Sequence, residues 1–148
     1  MPNQFQNTLA YTQLYSSGGV FLLNKVPVQF PFTPTFLENK NFNVKPNFTF
    51  EVTQTGAYFI DFSFIAKGGA STSIDLIWYK NNQLLSLYKT SFYQQTIQQY
   101  EVSSNFIINL TQYDTMYPVL VRTGGLGESF STIDIKLNSF NLQQLGIH

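Results

Sequence analysis

The sequence of 148 residues contains no cysteine, which excludes disulfide frameworks, thiolate nucleophiles and cysteine-ligated zinc sites. It is also poor in charge: charged residues make up 11% of the chain, and 8 Lys and Arg balance 8 Asp and Glu. An average soluble domain contains roughly 25% charged residues. Binding to duplex nucleic acid needs a basic stripe that displaces counterions, and this sequence has none. We therefore expect no nucleic-acid partner.

Histidine is nearly absent, since the only one is His148 at the last position. A terminal imidazole is normally solvated, which makes it a poor general base and a poor metal ligand. The carboxylates are scattered singly, so a glycosidase pair stays open only as a remote alternative. The Gly-rich segment 122–129 precedes a strand-like run, whereas a phosphate cradle needs a helix there. The sequence thus predicts a non-enzymatic protein with no catalytic residue, no metal site and no cofactor.

Long apolar runs are missing as well. No stretch approaches the length of a membrane-spanning helix. Residues 1–19 lack the basic segment followed by an apolar segment that defines a signal peptide. We expect no membrane insertion, and export would need another route or an upstream segment.

The chain is rich in aromatic residues, with 15 Phe, 9 Tyr and 1 Trp, and its pattern is that of β-strands. From Val20 onward, short runs alternate apolar with polar side chains and stop at Gly, Asn or Pro. Asn81 and Asn82 fit the left-handed positions of a tight hairpin turn. No window has a helical period with caps. We predict an antiparallel sandwich or barrel over residues 19–148, after a loosely ordered lead-in at residues 1–18.

The segment AYFIDFSFIA at residues 57–66 carries rings on both faces of one predicted strand. Tyr58 and Phe62 alternate with Phe59, so one ring-bearing face would meet water in an isolated sandwich. A second buried surface between subunits would use these additional rings. We therefore favour an assembly of several copies over a monomer with a well-filled core.

Two sets of motifs carry a resemblance to known families. Phe50, Gly56, Tyr58 and Phe62 fit the spacing F-x5-G-x-Y-x-F-x-[FY], with Ile60 at a position where that pattern has Phe. This resembles the jelly-roll head shared by complement-type globular heads and the tumour necrosis factor family. In the family's L-x-x-G-D-x-V pattern, Asp114 fits and Tyr113 replaces the glycine. The resemblance implies a jelly roll of about ten strands in which these motif residues lie in the core.

The second set is YSSGGVFLLNKVPVQF, FEVTQTGAYFI, WYKNNQ, TGGLGES and STIDIKL, spread over roughly residues 15–140. These segments resemble the C-terminal domain of Bacillus-type collagen-like spore-surface (exosporium) glycoproteins. Members of that family form trimers on collagen-like stalks, although this chain has no Gly-X-Y repeat. The resemblance implies a homotrimeric head of a spore- or cell-surface filament, located outside the cell. Its function would be surface assembly and adhesion through loops presented around a threefold axis.

The resemblance also implies which residues meet at the axis. The inner sheet would comprise the strands from Ala57, Tyr100 and Phe130 with the first strand beside them. The residues expected to point to the axis are Phe59, Ile65, Ile107 and Phe140. Besides itself, the chain could bind a filament or coat protein through its N-terminal segment.

The alternative is a glycan- or receptor-binding head of a phage tail fibre or adhesin. Its candidate ligand-binding residues are Trp78, Tyr79, Tyr88 and Tyr93, because exposed rings near glutamine amides can stack on sugars. The competing interpretation places Trp78 in the core and the glutamines in a solvated loop, and we favour it.

Overall fold

The computed structural model describes residues 8–16, 18–30, 35–45, 48–68, 72–94, 98–124 and 130–147, and within these ranges it contains strands and no helix. This confirms the all-β prediction. Twelve strands are present in the described part of the chain, against the ten or so expected. They are β1 (Tyr11–Ser16), β2 (Gly19–Asn24), β3 (Val28–Gln29), β4 (Thr35–Lys40), β5 (Phe42–Lys45), β6 (Thr49–Val52), β7 (Gly56–Gly68), β8 (Thr72–Lys80), β9 (Gln83–Gln94), β10 (Gln99–Leu110), β11 (Thr115–Arg122) and β12 (Phe130–Ile147).

The strands form two antiparallel sheets that pack as a jelly-roll sandwich. Sheet A has the order β10-β7-β12-β1-β4, and β2 pairs with the first part of β12. Sheet B has the order β5-β6-β11-β8-β9, and β3 pairs with β11. Sheet A therefore contains the strands that were expected to form the inner sheet. Strands such as β1, β7 and β10 give alternate residues to the space between the sheets, which is how a sandwich builds one core from two layers.

Strand β1 corrects the prediction of a loosely ordered lead-in at residues 1–18. Tyr11–Ser16 pair with β12 on one side and with β4 on the other. The inward residues are Thr12, Leu14 and Ser16, so two of the three buried positions are polar. This composition concealed the period of two that identifies a half-buried strand. Residues 1–7 and 17 of the predicted lead-in lie outside the described residues.

Aromatic rings fill the space between the sheets. Phe62 is the centre of this cluster, with ring centroids 4.5 Å from Phe140, 5.2 Å from Phe30 and 5.9 Å from Trp78. The contacts of Phe62 with Phe30 and Trp78 are edge-to-face, and such contacts add about 0.5–1.5 kcal/mol to the burial of the rings themselves. The aromatic side chains that are at most 4% exposed are Phe30, Phe42, Phe48, Phe50, Tyr58, Phe62, Phe64, Trp78 and Phe140.

The residues of the F-x5-G-x-Y-x-F-x-[FY] motif lie in this core. Phe50, Tyr58, Ile60 and Phe62 are each at most 1% exposed. Gly56 serves a different purpose, because a Cβ at this position would lie 2.1 Å from the carbonyl oxygen of Gly146 in β12. Only glycine permits this close approach of two backbones.

A β-bulge in β12 reverses the direction of the side chains that follow it. The register with β7 shifts between Ile135 and Leu137. Ile133 and Ile135 are buried before the bulge, whereas Asn138, Phe140 and Leu142 are buried after it. An extra residue in one strand moves all later residues to the opposite face. The predicted axis residue Phe140 therefore points into the sandwich.

The turn between β8 and β9 confirms the predicted hairpin. Asn81 and Asn82 have φ angles of 51° and 64°, the left-handed conformation that asparagine tolerates better than most residues. The backbone N–H of Asn81 also donates to the carbonyl oxygen of Thr115 at 2.9 Å. The hairpin is thus attached to the start of β11.

The turn between β10 and β11 keeps its shape without the family's glycine. Tyr113 takes that position with a φ of 76°, and its N–H donates to the carbonyl oxygen of Val52 at 2.8 Å. Asp114 accepts hydrogen bonds from the backbone N–H of Thr111 and from the side-chain amide of Asn81, both at 2.8 Å. Asp114 therefore stabilises the turn rather than forming part of a site.

Candidate functional site

The outward surface of sheet A, which we call face A, is the first candidate site. Residues of β7 that face the core alternate with half-buried residues on face A, as the segment AYFIDFSFIA predicted. The antiparallel register aligns the outward residues of four strands into rows. From β10 through β7 and β12 to β1, three rows are Ile107–Phe59–Gln143–Tyr11, Asn105–Asp61–Asn141–Gln13 and Ser103–Ser63–Ser139–Tyr15.

A fourth row continues face A with Glu101, Ile65 and Leu137 in β10, β7 and β12. Apolar side chains thus lie toward both ends of the face, although Glu101 belongs to the fourth row. Hydroxyl and amide groups and the carboxylate of Asp61 lie between the two ends. The Ser63 and Ser139 hydroxyls are 2.9 Å apart and hydrogen bonded across the two strands. Such a surface can exclude water at its apolar rows and can specify one alignment of a partner through its polar rows.

Three of the four predicted axis residues lie on face A. Ile107 is 59% exposed and sits directly beside Phe59, and Ile65 lies three rows along the same face. Phe140 does not belong to this group, because it is 1% exposed and packs against Phe62. The bulge in β12 explains the difference, and Leu137 takes the outward position beside Ile65 instead.

The four predicted ligand-binding rings are not brought together. Trp78 is fully buried and its indole N–H donates to the Ser104 hydroxyl at 3.1 Å, which confirms the core interpretation for this residue and removes it from any exposed platform. Tyr88 stacks on Phe106 with centroids 4.1 Å apart, and this pair closes the open side between β9 and β10. Trp78 therefore offers no surface to a ligand, and Phe106 covers one face of the Tyr88 ring.

Tyr79 lies on the outward surface of sheet B, which we call face B, and stacks on Tyr117. The two ring centroids are 5.4 Å apart and the ring planes differ by 5°. The residues pair across β8 and β11. Sequence reasoning missed Tyr117, because only the strand register places it beside Tyr79. Burial, together with the neighbouring Tyr79 phenol, raises the pKa of Tyr117.

A concavity of about 300 Å³ opens beside this pair, and we call it the tyrosine concavity. It is lined by Pro27, Gln29, Tyr79, Tyr117 and Val119. None of these side chains carries a charge. Its volume is at the lower end of the roughly 300–1,000 Å³ of small-molecule sites.

Tyr93, the fourth predicted ring, lies elsewhere on face B. It is 58% exposed and pairs across the sheet with Ser73, in the part of β9 that also holds Ser91. The Ser91 hydroxyl donates to Asp75, and Lys89 lies 3.9 Å from the same carboxylate. This end of face B is therefore charged and solvated.

Over the described ranges, no group of three His, Cys, Asp or Glu side chains lies close enough to hold a metal ion. The same residues include no helix that is long and apolar enough to span a membrane. What the arrangement provides is two different surfaces on a rigid sandwich.

Comparison with solved structures defines the class of fold. The Eiger TNF structure from S. frugiperda superposes with a TM-score of 0.68 and 9% identity, over 95% of this chain and 94% of that chain. Murine APRIL has a TM-score of 0.64 and 9% identity, over 93% and 100% of the two chains. The globular domain of the zebrafish complement 1qA protein has a TM-score of 0.62 and 16% identity, over 95% and 100%.

These likenesses span nearly the whole of each chain, so the protein has the jelly-roll fold of tumour necrosis factor and complement-type heads. No model of a protein family matches the sequence, and no curated protein sequence matches it. At this low identity, the comparison establishes the fold alone.

Proposed function

We propose that the protein is a non-enzymatic homotrimeric head in which face A forms the contact between subunits. The observation that carries this proposal is the row Ile107–Phe59–Gln143–Tyr11 on the outside of an already filled sandwich. Nine rings fill the described interior, and yet Phe59 and Ile107 remain on the surface. Contiguous apolar residues on the outside of a sandwich are typical of a surface that a partner covers.

The energetic argument concerns the apolar rows. Removing a large apolar side chain from water is worth about 1.5–3 kcal/mol, and a trimer would cover face A in three copies. Loss of translational and rotational freedom opposes this gain, by an estimated 4–15 kcal/mol for each association. Several rings and aliphatic side chains per subunit, rather than one, are therefore needed. Face A supplies Phe59, Ile65, Ile107, Leu137 and Tyr11.

The test is the solution mass of the purified chain by multi-angle light scattering. The wild-type protein should have about three times the chain mass of 16.9 kDa. Phe59→Asp and Ile107→Asp should each reduce the mass toward that of one chain, because a buried carboxylate without a partner opposes association. Circular dichroism should show an unchanged strand content, since both side chains point away from the core.

Tyr93→Asp is the matched control, because this substitution places the same charge on face B. It should leave the mass unchanged. A wild-type protein that is monomeric at micromolar concentration would overturn the proposal. If Tyr93→Asp reduced the mass as much as the face A variants do, the contact between subunits would involve face B and the proposal would be wrong.

We further propose that this head lies outside the cell, on a spore- or cell-surface filament, where it acts in assembly and adhesion. The resemblance of its motifs to exosporium collagen-like glycoproteins supports this location. Three copies of one weak site bind together more tightly than one copy, because the second and third contacts benefit from a high effective concentration. A labelled head should adhere to spores or cells of the source organism, and the monomeric Ile107→Asp variant should adhere much more weakly. If the wild-type head and the Ile107→Asp variant adhered equally well, adhesion would not depend on the trimer.

The alternative function is a ligand-binding head of a phage tail fibre or adhesin. The observation that favours it is the tyrosine concavity, since an uncharged site lined by rings on an exposed sheet has no evident structural purpose. Both functions use the same fold and can coexist in one molecule. Glycan binding by the wild-type head, without any loss on disrupting face A, would favour the alternative.

A further inference from the structure

The tyrosine concavity combines apolar walls with polar groups in a small volume. Tyr79, Tyr117, Pro27 and Val119 supply the apolar surface, and Gln29 supplies an amide. Val119 is only 3% exposed and lies at the floor, whereas the rings and the proline are more accessible. The site is therefore a shallow depression with a firm base in the middle of β11.

Several contacts hold the walls in place before any ligand arrives. The Tyr117 hydroxyl donates to the side-chain oxygen of Asn82 at 3.2 Å, which fixes its ring from the hairpin turn. The Gln29 side-chain amide donates to the Thr49 hydroxyl at 2.6 Å. A preformed site avoids the entropic cost of ordering side chains on binding.

The Tyr79 hydroxyl differs from its neighbours, because it makes no hydrogen bond within the part of the chain that the structure describes. Its ring is held by the stack with Tyr117 at 5.4 Å. A phenol in this position can donate one hydrogen bond to a ligand and accept others. It is the polar group most readily available to a molecule in the concavity.

We infer that the tyrosine concavity binds a neutral sugar, at the scale of one pyranose ring. A pyranose has apolar C–H faces that pack on tyrosine and proline, and its hydroxyl groups match the phenol of Tyr79. Among the residues that the structure describes, no charged side chain lines the concavity, which favours a ligand without charge. The volume of about 300 Å³ favours a single ring over an extended oligomer.

A proline-rich peptide is the competing ligand, because aromatic grooves also bind polyproline helices. Such a groove needs ridges separated by a gap into which a proline can insert. Here Tyr79 and Tyr117 stack directly on one another, so the space between the rings is closed. This geometry favours a flat ring on the surface of the pair over a proline between its members.

The inference concerns the opposite sheet from face A, so it does not depend on the trimer. The described lining residues lie in or beside β3, β8 and β11 of sheet B. A trimer built through face A would leave face B exposed and would present three such sites. The inference depends on the proposed function only for the number of sites in one assembly, which is three in a trimer.

The experiment titrates the full ¹⁵N-labelled chain with methyl glycosides of glucose, galactose and N-acetylglucosamine, and separately with sialic acid and a proline-rich peptide. At least one neutral glycoside should bind in the millimolar range. Binding of the glycoside should change the chemical shifts of the backbone amides of Gln29, Tyr79 and Val119 most, and should leave that of Tyr93 unchanged. This mapping needs no variant, so it stays decisive even where a substitution impairs folding.

Variants then test the contacts. Tyr79→Ala should weaken binding about tenfold, equivalent to about 1.4 kcal/mol, because stacking surface and hydroxyl are both lost. Tyr79→Phe should weaken it less, since only the hydroxyl is removed. Tyr93→Ala, on the same face but outside the concavity, should bind like the wild-type protein.

Three results would overturn the inference. In the first, none of the neutral glycosides binds. In the second, a glycoside binds but the chemical-shift changes centre away from the concavity. In the third, only the proline-rich peptide shows saturable binding. The same titration with the monomeric Ile107→Asp variant separates this inference from the proposed trimer. Sugar binding in a monomeric wild-type chain would refute only the trimer.

Discussion

Face A and face B are built by the same alternation of side chains, and yet they differ in kind. Face A aligns residues of four long strands into uninterrupted rows with apolar ends and a polar middle. Face B divides into two parts, with the stacked pair Tyr79 and Tyr117 in one and the Asp75–Lys89 ion pair in the other.

Strand pairing explains the difference between the faces. In sheet A, β7 pairs without a break over its contact with β10, so twelve successive residues keep their register. In sheet B, the register between β8 and β9 shifts between Leu76 and Trp78, and two short strands, β3 and β6, share the edge of β11. The four rows of face A lie between the two register shifts of β12, at Ile135/Leu137 and Gln144/Gly146, where the pairing with β7 is also unbroken. In sheet B, the short strand β3 beside β11 forms part of the wall of the tyrosine concavity.

The largest expected effect is the difference in the free energy of unfolding between alanine variants of Phe62 and Phe59, which lie on opposite faces of β7. Phe62→Ala should lower the free energy of unfolding by about 3–5 kcal/mol, because it removes a ring from the centre of the core. Phe59→Ala should cost less than about 1 kcal/mol, since its ring lies on face A. Urea denaturation of both variants in the Ile107→Asp background measures these values without a contribution from self-association.

The two alanine variants are sufficient to compare the cost of losing a ring on face A with the cost of losing one in the core. A Phe59→Ala cost equal to that of Phe62→Ala would place Phe59 in the interior. The comparison between a filled core and an exposed face A would then fail.

The next prediction concerns the buried phenol of Tyr58, on the core side of β7. The free energy of unfolding, measured as a function of pH, should report its ionisation. Burial raises the pKa of Tyr58 to about 12, above its ordinary value of 10.0. A raised pKa in the folded state contributes stability that is present below pH 10 and is lost as the pH rises toward 12. This loss should be on the order of 1 kcal/mol for Tyr58, because solvent screens part of the effect of burial.

Tyr58→Phe is the control for that titration. Burial also raises the pKa of Tyr100, so the wild-type curve contains more than one contribution. The difference between wild type and Tyr58→Phe isolates the Tyr58 phenol. A parallel decline of both proteins between pH 10 and 12 would contradict the assignment.

The smallest expected effect concerns Asn138, which follows the bulge in β12. Its side chain is fully buried, and neither its oxygen nor its nitrogen has a hydrogen-bond partner among the described residues. An unsatisfied buried amide costs about 1–3 kcal/mol. Asn138→Leu should therefore raise the free energy of unfolding by about 1 kcal/mol, allowing for imperfect packing of the larger side chain.

Asn141→Leu provides the matched control on the same strand, because Asn141 lies on face A beside Asp61. It should leave the stability of the monomeric background nearly unchanged. Thermal melts of the two variants give the comparison. A destabilised Asn138→Leu protein would show that the amide has a partner and that the bulge is a polar site.

The local pattern of a strand was readable wherever alternation was strong and uninterrupted. The two faces of β7 and the Asn81–Asn82 turn follow directly from residue types, because side-chain period and turn chemistry are local properties. The orientation of Phe140 was not readable, since the bulge at Ile135–Leu137 leaves no clear mark in the sequence. Strand β1 was missed because Thr12 and Ser16 occupy buried positions.

The candidate sites required long-range information. Tyr117 meets Tyr79 only through the register of β11 with β8, a pairing between residues far apart in the sequence. Ile107 and Phe59 were expected on a common surface because the family resemblance placed their strands in one inner sheet. The concavity beside Tyr117 could not be expected, as Pro27 and Gln29 reach it through the two-residue strand β3.

The beginning of β1 and the end of β12 meet at one edge of the molecule. The N–H of Gln144 donates to the carbonyl oxygen of Ala10 at 2.8 Å, and the Gln144 side-chain oxygen accepts from the N–H of Ala10 at 2.9 Å. Domains with adjoining ends tolerate circular permutation. A short linker across this edge would allow the chain to be reopened in a surface loop, so that a fused reporter could be placed on whichever side of the sandwich an experiment requires.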